Sequence, residues 1–243
     1  TTILSIYGKK SERVGLGGLV FNDKTGPTSR IGGAASYTYS FPMTQSVKMS
    51  FALSGGFTQF KITKNGLNPQ VKEDSYMQGD VVRSTPDATF GFNVYGDKWY
   101  FGAAIPQLLS MNLNLIDDDF KEDYNMKSEA ELVRHIYVLG AYKHSFNPFW
   151  SIEPSLLLKG VKAAPLQADF GVKTTYDDRL WFGMDYRNNG EMAVLLGYSI
   201  KERYIIGYSY DIPSSDMSII SSGSHEFMLG IRFLAANESE ITR

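Results

Sequence analysis

The sequence predicts an all-β fold, a transmembrane antiparallel β-barrel, and three observations carry that prediction. Polar and apolar residues alternate through most of the chain, as in "QADFGVKTTYDDRLWFGMDYR" at 167–187. The alternating segments are on the order of ten residues long with aromatic residues gathered near their ends, which fits tilted strands crossing a bilayer between aromatic girdles. The connections come in two kinds, tight polar turns and long aperiodic loops.

The quoted stretch shows the first observation most clearly. Leu166, Ala168, Phe170, Val172, Thr174 and Tyr176 fall on one side of an extended chain, and Gln167, Asp169, Gly171, Lys173 and Thr175 on the other, because successive strand side chains point to opposite faces. After Asp177 and Asp178 the alternation resumes with Leu180, Phe182, Met184 and Tyr186 against Trp181, Gly183, Asp185 and Arg187. This is the pattern of a hairpin with a short turn.

Taken in order, the candidate strands begin with 2–8 and 13–22, joined by the polar turn Gly8 to Arg13. The glycines of "GLGG" at 15–18 relieve crowding inside a curved wall. Strand 31–41 ends in Tyr37, Tyr39 and Phe41, and 47–62 opens with Lys48 after the turn Pro42 to Ser46. Strands 88–95 and 98–106 flank the turn Gly96 to Lys98, and 133–145 carries His135 and His144 near its two ends. Strand 150–160, which holds Glu153 and Lys159, follows the turn Phe146 to Phe149. Next come 165–176 and 179–188, then 191–200 and 203–211 around Ile200 to Arg203, with Tyr204, Tyr208 and Tyr210 along the second. Strand 224–234 is last, so about thirteen strands are expected in all.

The stretches 63–87 and 107–132 carry asparagines and aspartates, with glycines in the first, lack periodicity and read as long loops. Short turns on one side and long loops on the other describe an outer-membrane barrel, with the short turns in the periplasm. On that reading the first strand starts outside and the last ends in the periplasm near Phe233. Even strand counts with both ends periplasmic then imply a further strand before Thr1 and about fourteen in the complete barrel, of which 1–236 is the part in this sequence, followed by a periplasmic tail at 237–243.

Composition excludes several other classes. The chain has 243 residues, no cysteine, 23 glycines, 14% aromatic residues and a net charge of −2. It is neither a disulfide scaffold nor a disordered tail, and its scattered lysines and arginines give no reason to expect nucleic acid. No apolar run is long enough for a transmembrane helix, and the beginning of the chain lacks a secretory signal pattern. A water-soluble β-sandwich also alternates, but it does not account for small and charged residues opposing large apolar ones across so many long strands.

The segments "VGLGGLVFNDKTGPTS" (14–29), "PSLLLKGVKAAPLQADFGV" (154–172), "LWFGMDYR" (180–187), "LLGYSI" followed by "YIIGYSYD" (195–211) and "SGSHEFMLGIRF" (222–233), in that order and spacing, resemble the PorP/SprF family. These are outer-membrane proteins of the type IX secretion and gliding machinery of Bacteroidota. The family's Asn-Pro-rich N-terminal piece has no counterpart here, and "TTILSIYGKKSERVGLG" resembles its second strand. The resemblance implies a role in secretion and adhesin display at the cell outer membrane rather than chemistry. It implies protein partners: a periplasmic ring lipoprotein with its companion protein, or the C-terminal domain of a secreted adhesin.

Candidate catalytic groupings are weak. His225 and Glu226 adjoin at a strand entry, where a hydrogen-bonded pair is expected rather than acid-base work. His135 and His144 are too far apart to share a metal, "GLGG" lacks the helix a nucleotide loop needs, and Asp117, Asp118 and Asp119 lack EF-hand spacing. No enzyme activity, cofactor or metal is expected.

With the apolar face toward lipid, Lys48, Glu153, Lys159, Asp169, Lys173, Asp185, Arg187, Glu226 and Arg232 point into the lumen. Charges of both signs in a narrow interior are expected to pair, giving a cross-braced wall rather than a wide pore. In the second long loop, Leu108, Leu109, Asp117, Asp118, Asp119 and Phe120 are the residues expected to hold an exported protein domain. The competing expectation is a channel of about fourteen strands for a hydrophobic or small solute, which requires a plug or an apolar pocket.

Overall fold

The computed structural model describes residues 1–63, 80–109, 133–162, 164–214 and 222–233. Every regular element among them is a strand: β1 (Thr2–Lys9), β2 (Val14–Thr25), β3 (Thr28–Pro42), β4 (Lys48–Ile62), β5 (Val81–Tyr95), β6 (Trp99–Ile105), β7 (His135–Tyr142), β8 (His144–Ser145), β9 (Trp150–Val161), β10 (Gln167–Tyr176), β11 (Leu180–Arg187), β12 (Met192–Ile200), β13 (Tyr204–Ile212) and β14 (Ser224–Ile231). They form a 14-stranded antiparallel sheet in which spatial order follows chain order, with the two-residue β8 paired to β9 beside the main path. The strand expected at 133–145 is thus β7 and β8, interrupted at Lys143, whose amide donates to Lys98 O instead (2.6 Å).

β5 begins at Val81, several residues before the expected start at 88. The sequence "VVRSTPD" hides this half of the strand because Pro86 and Asp87 look like a loop. In the sheet, β4 supplies the missing signal, since Phe57 lies opposite Pro86 and Gly56 opposite Asp87. Likewise β2 and β3 run on to Thr25 and Thr28 and meet in a two-residue turn, with Gly26 in the left-handed region (φ 57°).

β1 to β5 lie in one compact unit and β10 to β14 in another. In the first, the register aligns small residues on one face, with Gly17, Ser36 and Ser54 in one row and the serine hydroxyls bonded at 2.7 Å. The other face carries Leu16, Tyr37, Leu53 and Phe90 in one row, all exposed. In the second unit, Val172, Met184, Val194 and Tyr210 form one such row, and Phe170, Tyr186 and Met192 another. Phe227 and Leu229 of β14, on the same face, are 81% and 82% exposed. A sheet that turns its largest apolar side chains outward has no use for water on that face; hydrocarbon removes the cost of exposing it.

Two hairpins of the second unit close through two-residue turns of the mirror-image type. Asp177 and Asp178 have φ of 51° and 49°, Lys201 and Glu202 have φ of 51° and 56°, and Arg179 N and Arg203 N each return to the carbonyl three residues earlier at 3.0 Å. That backbone matches the right-handed twist of the flanking strands. Non-glycine residues adopt it at some cost.

Candidate functional site: the charged wall and the loop stem

The charged face of β9 to β12 is assembled by register. Asp169 lies opposite Leu157 and Arg187, Lys173 opposite Glu153, and Gly171 opposite Ser155 and Asp185. Long side chains then reach along the strands to their partners. Lys159 Nζ meets Asp169 Oδ2 at 2.7 Å, the other oxygen of Asp169 accepts from Arg187 Nε at 3.2 Å and from Gln167 Nε2 at 2.9 Å, and Arg187 bonds onward to Glu191. Lys173 donates to Glu153 at 2.9 Å. The result is a chain of alternating charge, Lys159–Asp169–Arg187–Glu191, with a second pair beside it.

The remaining residues expected on this face divide differently. Asp185 makes no hydrogen bond or ion pair among the described residues and sits across Gly171, where any side chain would collide with its carboxylate and with the Ser155 hydroxyl. Glu226 accepts from Ser209 Oγ at 3.4 Å. Arg232 lies just beyond β14 and donates to Glu202 O at 3.2 Å. Lys48 stands at the start of β4 opposite Tyr95, with no ion pair among the described residues. Glu191 and Asp211 were not singled out from the sequence; the available signal for the first was the "NNG" turn, which brings Arg187 and Glu191 side by side at the end of a hairpin.

Asp169, Arg187 and Glu191 border a cavity of about 550 Å³. Its polar side includes Asp185, Asp211 and Glu226, and its apolar side Leu139, Leu157 and Ile212. Farther along the same face, the Trp181 indole lies flat across Gly197, occupying the space a Cβ would need, and reaches Gly207 in the next strand.

Each of the three histidines bonds or packs against a neighbour within its own unit. His225 and Glu226 do not pair, contrary to the expectation at strand entry, because adjacent strand residues face opposite sides. His225 Nδ1 bonds Tyr208 OH at 2.8 Å on the apolar face, while Glu226 stays on the polar one. His144 sits edge-on to Phe146 with ring centroids 4.9 Å apart. His135 Nδ1 bonds Gln107 Oε1 at 3.0 Å.

That last bond belongs to the stem of the second long loop. Leu108 N donates to Ala88 O at 3.0 Å, Arg134 donates to Leu108 O at 2.9 Å, and Gln107 takes a left-handed φ of 51°. Leu108 is half-buried and Leu109 is exposed. Asp117, Asp118, Asp119 and Phe120 lie outside the described residues. Among the described residues no group of three or more histidines, cysteines, aspartates and glutamates could hold a metal ion.

No curated protein matches the chain. Solved structures similar to it include two crystal structures of the toluene transporter TodX of Pseudomonas putida, each 11% identical. One has a TM-score of 0.47 and covers 86% of this chain and 76% of that one; the other has 0.49, 86% and 74%. The family model for the type IX secretion system membrane protein PorP/SprF matches residues 1–231. A membrane protein crosses lipid with helices or with strands, and every regular element among the described residues of this chain is a strand. The apolar outward face and the charged opposite face fit that arrangement, and the chain belongs to the PorP/SprF family of type IX secretion system membrane proteins.

Proposed function

We propose that this protein is a non-enzymatic outer-membrane component of the type IX secretion and gliding machinery that supports secretion or surface attachment of a partner protein such as an adhesin. The family match over residues 1–231 carries the reading. The ion-paired wall supports it, because a face braced by Lys159, Asp169, Arg187 and Glu191 suits a scaffold better than a wide aqueous pore. The outer loop on the Gln107–His135 stem holds the exported domain, and the tight turns face the periplasmic ring lipoprotein and its companion. Tight turns lose little ordering entropy on binding, whereas a long loop clasps a domain at higher ordering cost. Deleting residues 110–125 is expected to abolish surface attachment of the cognate protein while the barrel still folds and inserts. Survival of attachment after that deletion, with loss on neutralising the turn charges, would reverse the assignment.

A second reading is a channel for a hydrophobic or small solute, and the 550 Å³ cavity with its apolar side is the observation that favours it. Planar-bilayer recording separates the two. The scaffold reading expects little steady conductance, and large stable channels would support the solute channel.

A further inference from the structure

We propose that the tight-turn rim of β12–β14 carries a recognition site for the phosphate of an anionic phospholipid. Lys201 and Arg203 lie in the β12–β13 turn, and Arg232, just beyond β14 and on the opposite face from Ile231, braces that turn by donating to Glu202 O. Backbone bonds hold them together, with Arg232 N donating to Arg203 O at 2.8 Å and Arg203 N to Ile200 O at 3.0 Å. Left-handed φ values at Lys201 and Glu202 fix the turn between them.

The charge at this rim is uncompensated. The charges of the β10–β11 turn are matched, since Asp177 pairs with Arg179 at 3.5 Å and Asp178 with Lys143, which lies between β7 and β8, at 3.2 Å. At the β12–β13 turn the only acid is Glu202, and among the described residues Lys201, Arg203 and Arg232 make no ion pair; Arg232 donates instead to a backbone carbonyl. An anion supplied from outside completes the arrangement.

The position of the guanidinium selects the source of that anion. Arg203 Cζ lies 5.6 Å from the centroid of the Tyr204 ring. Tyr204 is 42% exposed on the apolar face, so the cation sits at the level where that face ends and the turn begins. A tyrosine there marks the headgroup level, and an arginine stacked on it keeps N–H groups free for phosphate oxygens. Exposed Ile206, Leu229 and Ile231 continue from Tyr204 along the same face, an apolar track for an acyl chain. An acidic protein approaching the turn tip would use the charge but not the track, and free phosphate would use neither the ring level nor the track.

The inference rests on the membrane-spanning fold and not on the identity of any protein partner. The test is native mass spectrometry of the full chain in detergent, titrated with phosphatidylglycerol or with phosphatidylcholine of the same acyl chains. Phosphatidylglycerol is expected to bind more tightly, and the double variant Lys201→Gln/Arg203→Gln to weaken it roughly 30-fold, at about 5-fold per cation. Phosphatidylcholine binding should be unchanged. Arg203→Lys, which keeps the charge and loses the fork, is expected to fall between. Heat-modifiable gel migration verifies that each variant is folded. Equal affinity for the two lipids, an unaffected double variant, or displacement of phosphatidylglycerol by equimolar inorganic phosphate or by polyglutamate would each overturn the proposal.

Discussion

Replacing Asp169 with asparagine probes how the charged wall is held. The carboxylate is 15% exposed and serves two cations, Lys159 at 2.7 Å and Arg187 at 3.2 Å, which are 29% and 37% exposed. The substitution leaves both facing a neutral amide, although Arg187 keeps Glu191. Breaking a fully buried pair costs about 3–5 kcal/mol and an exposed pair is worth about 0–1 kcal/mol. With one partner largely sheltered and two partly wet, the expected loss is about 2 kcal/mol, or roughly 30-fold in the folding equilibrium. Asp178→Asn is the comparison: that carboxylate is 81% exposed with a single bond to Lys143, so its loss is expected to stay below about 0.5 kcal/mol. Urea unfolding in lipid vesicles, followed by heat-modifiable gel migration, measures both. The double variant Asp169→Asn/Arg187→Gln should cost less than the sum of the singles, because they share a contact. Equal shifts for Asp169→Asn and Asp178→Asn would refute the idea that the wall is braced at Asp169.

Three further outcomes are expected. Gly197→Ala places a methyl where the Trp181 ring lies and should cost about 1–3 kcal/mol, with strong coupling to Trp181→Leu in a double-mutant cycle. Glu202→Gly relieves a left-handed φ of 56° and should stabilise by about 1 kcal/mol, read as a raised urea midpoint. Cysteines at Phe182, Met184, Phe227, Leu229 and Ile231 should react with a probe confined to lipid, while those at Asp169, Lys173, Asp185 and Arg232 should not; equal labelling of the two sets contradicts the facing.

Strand existence was legible wherever one face is uniformly apolar, as at Phe170 to Tyr176 and Leu180 to Tyr186, because period-two alternation is a property of the single chain. It was not legible at Val81 to Asp87, where Pro86 and Asp87 sit in a strand whose partner residues Phe57 and Gly56 are far away in sequence. The charges of the wall could be nominated one by one, but their pairing depends on register. Whether Asp169 meets Lys159 or Lys173 is decided by which residues β9 and β11 place opposite it. His225 shows the same limit from the other side, since sequence adjacency to Glu226 suggested a pair that the pleat forbids.

Because each main-path strand pairs only with its chain neighbours, the sheet is modular in a way that mixed or crossed sheets are not. A hairpin such as β10–β11 could be duplicated in tandem, and the new copy would sit between the edge of β11 that now pairs with β12 and the edge of β12 that now pairs with β11. No other pairing would need to change. This sheet can therefore grow or shrink two strands at a time by recombination at its turns, and its width is open to engineering without redesign of the remaining strands.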